Sequence, residues 1–100
     1  MRTFTAFAAS AILLGLAGAA GAAGTTSLTF RDGQPADRFV LDGASWRCAE
    51  NVCIATGGMS QPAMRACRRI VAEHGPVSTF TWRGEAFDAQ RLAQCNAAAA

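Results

Sequence analysis

The chain has no tyrosine and only one histidine, and charged residues make up 16% of its 100 residues. A single histidine excludes a histidine-rich metal site, and any nucleophile–base–acid triad would have to use His74. All nine basic residues are arginine, and they form no dense basic stripe, so we expect no nucleic-acid partner. A hydrophobic fraction of 51% with so few charges excludes a disordered chain. The length leaves room for one small domain.

Motifs that carry catalysis or bind cofactors are also missing from the sequence. No serine lies in a G-x-S-x-G pattern, and Gly57-Gly58 lacks the lysine and hydroxyl residue of a phosphate loop. The seven acidic residues are scattered, and most lie beside predicted turns or helix caps. The sequence therefore predicts no catalytic residue and no cofactor, although two carboxylates could still converge in the fold.

Residues 1–23 have the pattern of a secretory signal peptide. Arg2 supplies the positive charge, an apolar run extends from Phe4 to Leu16, and we expect cleavage after Ala22 or Ala23. The alternative is an uncleaved membrane anchor, because the apolar stretch is nearly long enough to span a bilayer. Its alanine- and glycine-rich end favours cleavage and a periplasmic or secreted protein. No second apolar run follows, so we expect no transmembrane segment after cleavage.

Four cysteines in a short exported chain are typical of a disulfide framework. Cys48 and Cys53 flank four residues that favour a turn, and a hairpin with a four-residue loop would place them opposite each other. Cys67 and Cys95 fall in two predicted helices, which a bond between them would join. Of the three possible connectivities, we therefore expect 48–53 and 67–95. In the chain-entropy model these bonds contribute about 2 and about 3.5 kcal/mol, respectively.

Metal and redox chemistry are the rival interpretations of the cysteines. Structural zinc sites usually pair their ligands at C-x2-4-C spacing, and only the first two cysteines fit, loosely. The chain has no C-x-x-C motif, which gives thioredoxin-like chemistry little support. We expect neither a bound metal nor a reactive dithiol.

Residues 24–100 predict an α+β domain, in which a small antiparallel sheet carries two helices. Asp42-Gly43 is a strong hairpin signal, and Asp88 can cap the second helix. Ser60 can cap the first helix, with Pro62 in its first turn and Gly75 just beyond its end. The ordered part should span about 27–96, with strands at 27–30, 39–41, 46–48, 52–55 and 77–82 and helices at about 62–74 and 88–96.

Arg65, Arg68 and Arg69 form the main charge cluster, and they lie on the first predicted helix. One interpretation is a face that docks an anionic partner, such as a lipid headgroup, a polysaccharide or an acidic protein. The other is a solvated helix face, in which Arg69 can pair with Glu73. A binding site would require another arginine from the sheet, such as Arg47 or Arg83.

Three further side chains have both a structural and a functional interpretation. Trp46 and Trp82 could form a sugar-stacking platform, but in so small a domain we expect them in the core. His74 could act as a base, but it lies at a predicted helix C-terminus, where the dipole favours a cation. We expect His74 to cap the C-terminal end of the first helix.

Several short motifs lie between residues of about 37 and 96: Trp46-x-Cys48-x4-Cys53 and the more specific Cys67-Arg68-Arg69 and Cys95-Asn96. In these motifs this part of the sequence resembles an uncharacterised family of small exported proteins from alphaproteobacteria. Membership would imply export and a shared scaffold of four cysteines. It would imply no known activity, substrate or cofactor.

We therefore expect a small exported, disulfide-stabilised binding or structural module of the cell envelope, which is not an enzyme. Its partner would be an envelope protein or an anionic surface. The alternative is a small extracytoplasmic enzyme or enzyme inhibitor, whose active residues converge only in the fold.

Overall fold

The computed structural model describes residues 24–33, 36–58 and 60–100. The predicted signal peptide and its cleavage site lie outside these residues. Within them, the chain forms an antiparallel sheet and two helices, which confirms the predicted α+β class. The elements are β1 Ser27–Phe30, β2 Arg38–Leu41, β3 Ala44–Ala49, β4 Val52–Thr56, α1 Ala63–His74, β5 Val77–Trp82, β6 Glu85–Ala86 and α2 Ala89–Asn96.

The six strands of the described chain form one sheet in the order β2-β3-β4-β1-β5-β6. Three hairpins join strands that follow one another, whereas β1 lies between β4 and β5. Asp42 and Gly43 form the first hairpin turn with φ values of 52° and 86°. Positive φ at both positions matches the twist of a two-residue hairpin. The hairpin predicted at Asp42-Gly43 is therefore confirmed.

Two parts of the sheet differ from the sequence prediction. The ladder between β3 and β4 continues to the pair Ala49 and Val52, so the turn contains two residues rather than the expected four. The chain also returns after Trp82 as β6, through a turn at Arg83-Gly84. A strand of two residues is too short to show alternation, and sequence patterns cannot detect it.

The core lies between one face of the sheet and the two helices. Alternation along the strands places most of the large apolar side chains on this face. Trp46 is 1% exposed and Trp82 is 5% exposed. Both tryptophans therefore belong to the core, as expected, and neither forms a platform for sugars. The other large buried side chains are Leu28, Phe30, Ile70, Val71, Val77, Phe80 and Phe87.

A proline precedes helix α1, and a glycine ends it. Pro62 is the N-cap in an extended conformation, and no side chain caps this end. The predicted Ser60 cap was wrong, because Ser60 lies two residues before the N-cap and only the N-cap side chain reaches the first free N–H groups. Gly75, with φ of 105°, ends the helix, and its N–H donates to the Val71 carbonyl at 2.9 Å. The predicted glycine stop is confirmed.

Helix α2 is fixed by a side chain at each end. Asp88 accepts a hydrogen bond from the Arg91 N–H at 2.9 Å, which confirms the predicted cap. Asn96 bonds both backbone groups of Val77: its Oδ1 accepts from the N–H at 2.9 Å, and its Nδ2 donates to the carbonyl at 2.8 Å. Asn96 therefore holds the end of α2 against the start of β5. Ala98 and Ala99 continue in a turn and pack against the core.

Both disulfides have the predicted connectivity. Cys48 and Cys53 lie directly opposite each other on β3 and β4, with their Cα atoms 4.0 Å apart. Cys67 and Cys95 join α1 to α2, with Cα atoms 5.8 Å apart, and both are fully buried. The described residues contain no free cysteine.

The double contact of Asn96 predicts a measurable loss of stability. Replacing Asn96 by alanine removes two hydrogen bonds to Val77, so we expect the free energy of unfolding to fall by about 2 kcal/mol. Asn51→Ala is the matched control, because Asn51 makes one such bond, from Nδ2 to the Phe30 carbonyl at 3.0 Å. It should lose about 1 kcal/mol in urea unfolding. Equal losses for the two variants would contradict the anchoring role of Asn96.

Candidate functional site

Both helices pack on one face of the sheet, so the strand residues that alternate to the other face are largely exposed. We call this surface the open face. In the described part of the chain neither helix covers it. Its side chains are guanidinium, hydroxyl and small aliphatic groups, and no strand position on it carries Asp or Glu. They belong to Ser27, Thr29, Arg38, Val40, Ser45, Arg47, Ala49, Val52, Ile54, Thr56, Thr79, Thr81 and Ala86.

Arg38 and Arg47 lie directly opposite each other on the open face. The Cys48 N–H donates to the Asp37 carbonyl at 2.7 Å, and hydrogen-bonded pairs alternate along an antiparallel ladder. Arg38 and Arg47 are therefore a non-hydrogen-bonded pair, the type that brings opposing side chains closest. Neither guanidinium has a hydrogen-bond or ion-pair partner among the described residues. Like charges in this position oppose strand pairing, and the fold does not compensate them.

Aliphatic side chains surround the two arginines on the open face. Val40 is 70% exposed, Ile54 is 54% exposed and Val52 is 46% exposed. Ile54 is the cross-strand neighbour of Arg47, and Val40 lies two residues after Arg38 on the same strand. The β2–β4 half of the open face therefore combines positive charge with exposed apolar surface, while its β1–β5 half carries mainly hydroxyl groups.

The predicted arginine cluster on α1 forms several contacts within the protein. The Arg69 Nε donates to Asp42 Oδ2 at 2.7 Å, so its partner is the β2–β3 turn rather than Glu73. The Arg68 Nη1 donates to the Gln94 carbonyl on α2, also at 2.7 Å. Arg65 has no polar partner in the described residues. All three line a depression of about 490 Å³ along α1.

The sheet arginines that could have completed this cluster lie elsewhere. Arg47 is on the open face, on the opposite side of the sheet from α1. Arg83 lies in the turn between β5 and β6 and lines a different cleft. An anionic site on α1 would need one of these sheet arginines beside it, and neither lies there. Binding of an anionic partner by the α1 face stays a prediction.

His74, the candidate base, lies among aromatic rings. Its ring centroid is 4.1 Å from that of Phe39 and 6.2 Å from that of Phe30. No hydrogen bond or ion pair within the described residues joins its imidazole to a carboxylate. His74 therefore packs beside the core near the end of α1.

A cleft of about 590 Å³ lies between the start of α1 and the β5–β6 hairpin. It contains one carboxylate and two guanidinium groups, and the Arg91 guanidinium lies 4.2 Å from the centre of the Phe87 ring. This mixture of charges favours no single class of ligand. The lining residues are Gln61, Ala63, Trp82, Arg83, Glu85 and Arg91.

The seven acidic residues lie in turns, at helix ends or at the edges of the sheet. Across residues 24–33, 36–58 and 60–100, no group of three His, Cys, Asp or Glu side chains is placed to hold a metal ion. Nor is any described helix both long and apolar enough to cross a membrane.

The Arg38–Arg47 pair was not predicted, although local signals for it exist. The turn at Asp42-Gly43 fixes Leu41 opposite Ala44, and the same register places residue 38 opposite residue 47. Alternation with Phe39 and Trp46, which face the core, then directs both arginines outward. That the outer face stays uncovered depends on the positions of the helices, which no local pattern specifies.

Comparison with known proteins assigns the sequence to a family. A model for a family of unknown function, DUF8200, matches residues 4–97. The chain belongs to this family. The match takes in both disulfides, the open face and Asn96, so the DUF8200 pattern includes the whole described sheet. No curated protein and no solved structure matches the chain.

Proposed function

We propose that this DUF8200 protein is an exported, non-enzymatic binding module of the cell envelope, and that the open face is its contact surface. The observation that carries the proposal is the composition of that face. It has two guanidinium groups without a partner among the described residues and three exposed large aliphatic side chains, and its strand positions carry no acidic residue. Exposed apolar surface beside charges that lack an ion-pair partner is typical of a surface that contacts another molecule or a membrane.

Export is supported by the first 23 residues and by the cysteines. The leader has the charge, apolar run and small residues that a signal peptidase requires. The four cysteines form two disulfides, and such bonds persist in oxidising compartments. A periplasmic or secreted location is consistent with both features.

A photo-crosslinking experiment tests the proposal. A benzophenone amino acid replaces Ile54 on the open face or, as the matched control, Ala72 on the exposed side of α1. Both chains are expressed in cells that export them, irradiated and fractionated. We expect to find the chain in the extracytoplasmic fraction. We also expect a discrete crosslinked adduct from position 54, because the open face contacts its partner in the cell envelope.

The control position tests the rival surface. Ala72 borders the depression that contains Arg65, Arg68 and Arg69. A discrete adduct from position 72 without one from position 54 would assign binding to the α1 face. Retention of the chain in the cytoplasm, or no adduct at either position, would contradict the proposed function.

A further inference from the structure

We infer that the open face binds to anionic lipid surfaces. This inference rests on the proposed function and names the partner of the same surface. The juxtaposition that carries it is the opposed pair Arg38 and Arg47, beside exposed Ile54 and Val40, on a face whose strand positions carry no acidic side chain.

The charge of the open face fits phosphate groups. Arg38 and Arg47 are close neighbours across two strands, and neither is neutralised by a described residue. A guanidinium donates two parallel hydrogen bonds to phosphate oxygens, and two neighbouring guanidiniums can share one headgroup or hold two. An array of phosphodiesters would remove the repulsion between these arginines.

The aliphatic side chains fit the boundary between lipid headgroups and acyl chains. Ile54 lies beside Arg47 in the same cross-strand row, and Val40 lies on the same face of the strand as Arg38. When an arginine reaches a phosphate, the aliphatic part of its side chain and its apolar neighbours can contact the acyl region. A single lipid surface would then contact both the arginines and the aliphatic side chains of the open face.

Other partners fit this face less well. All six aromatic side chains in the described residues lie on the helix side of the sheet, so a sugar has no ring to stack on. Protein interfaces are enriched in aromatic residues at their centre, and this face has none. A second copy in a two-fold contact through these residues would bring four guanidiniums together. The cavities described above also lie on the helix side.

Vesicle flotation tests the inference with the exported, oxidised chain. The probes are vesicles of POPC alone and vesicles of equimolar POPC and POPG, in low-salt buffer. We expect binding to the POPG-containing vesicles only, and we expect it to weaken as salt rises to about 0.15 M, where the screening length falls to about 8 Å.

Variants locate the contact. Each arginine near an anionic surface contributes a factor of about five, so Arg38→Gln with Arg47→Gln should weaken binding about 25-fold. Arg47→Gln and Arg65→Gln have equal net charge, and Arg65 also has no polar partner in the described chain. Arg47→Gln should weaken binding about fivefold, and Arg65→Gln should have a smaller effect. Ile54→Thr keeps a β-branched side chain and should weaken binding through lost apolar contact.

Several results would overturn the lipid inference. These are absence of binding to POPG vesicles, equal binding to POPC, or equal losses for Arg47→Gln and Arg65→Gln. The melting temperature of each variant shows that it is folded, and removing one of two opposed like charges should not lower it. If the protein does not bind vesicles but position 54 crosslinks to an acidic protein, the lipid inference is wrong and the proposed function as a binding module stands.

Discussion

Replacing both Cys67 and Cys95 by alanine is expected to lower the free energy of unfolding by about 3.5 kcal/mol. The Cys67–Cys95 bond closes a long loop, with a sequence separation of 28, and it joins the two helices over the core. Loop-closure entropy in the unfolded chain grows with loop length, so this bond restricts the unfolded state most. Small domains have stabilities from roughly 5 kcal/mol upward, so the variant should be close to unfolding at 37 °C.

The second disulfide provides the internal comparison. Cys48 and Cys53 have a sequence separation of 5, and replacing both by alanine should cost about 2 kcal/mol. Alanine is preferred to serine because Cys53, Cys67 and Cys95 are fully buried and a hydroxyl there would lack a partner. Urea unfolding of the three proteins measures the difference. Equal midpoints for the two double variants would contradict a dominant role for the long loop.

Trp46→Ala should be similarly destabilising, with an expected loss of about 4 kcal/mol. Trp46 is 1% exposed, and it stacks on Phe39 with ring centroids 5.9 Å apart and lies 6.5 Å from the Phe80 ring. Alanine leaves a large cavity in the middle of the sheet, where strands on both sides limit collapse around it.

Ile54→Ala is the matched control for this prediction. Ile54 lies on the neighbouring strand but faces outward, and it is 54% exposed. We expect its free energy of unfolding to change by less than about 1 kcal/mol, since more than half of its side chain stays in water on folding and no closed cavity is left by alanine. Thermal unfolding followed by circular dichroism compares the variants. A loss from Ile54→Ala as large as that from Trp46→Ala would show that the open face is covered, and would contradict the proposed contact surface.

Features set by neighbouring residues were predictable. Asp42-Gly43 predicted a hairpin because few other dipeptides accept two positive φ angles, and Asp88 predicted a cap because its carboxylate reaches the next N–H groups. The pairing of Cys48 with Cys53 followed from their positions on either side of a turn. In each case the residues that determine the structure are close together in the chain.

Features set by contacts between distant segments were not predictable. Arg69 pairs with Asp42 rather than Glu73, because the β2–β3 turn lies beside α1 in the folded protein. Asn96 bonds Val77 across two elements, and no spacing in the sequence indicates that contact. The Arg38–Arg47 register was implied by the hairpin, but its importance depends on what covers the face.

Local residue patterns were enough to specify the turns, the helix end at Gly75, the expected cysteine pairing and the two-residue alternation of the strands. Tertiary structure alone decided that β1 inserts between β4 and β5 and that both helices pack on the same face. Those two outcomes leave the Arg38–Arg47 side of the sheet open. The physical reason is that hairpins and caps depend on local backbone geometry, whereas strand order and helix placement depend on burying apolar area over the whole chain.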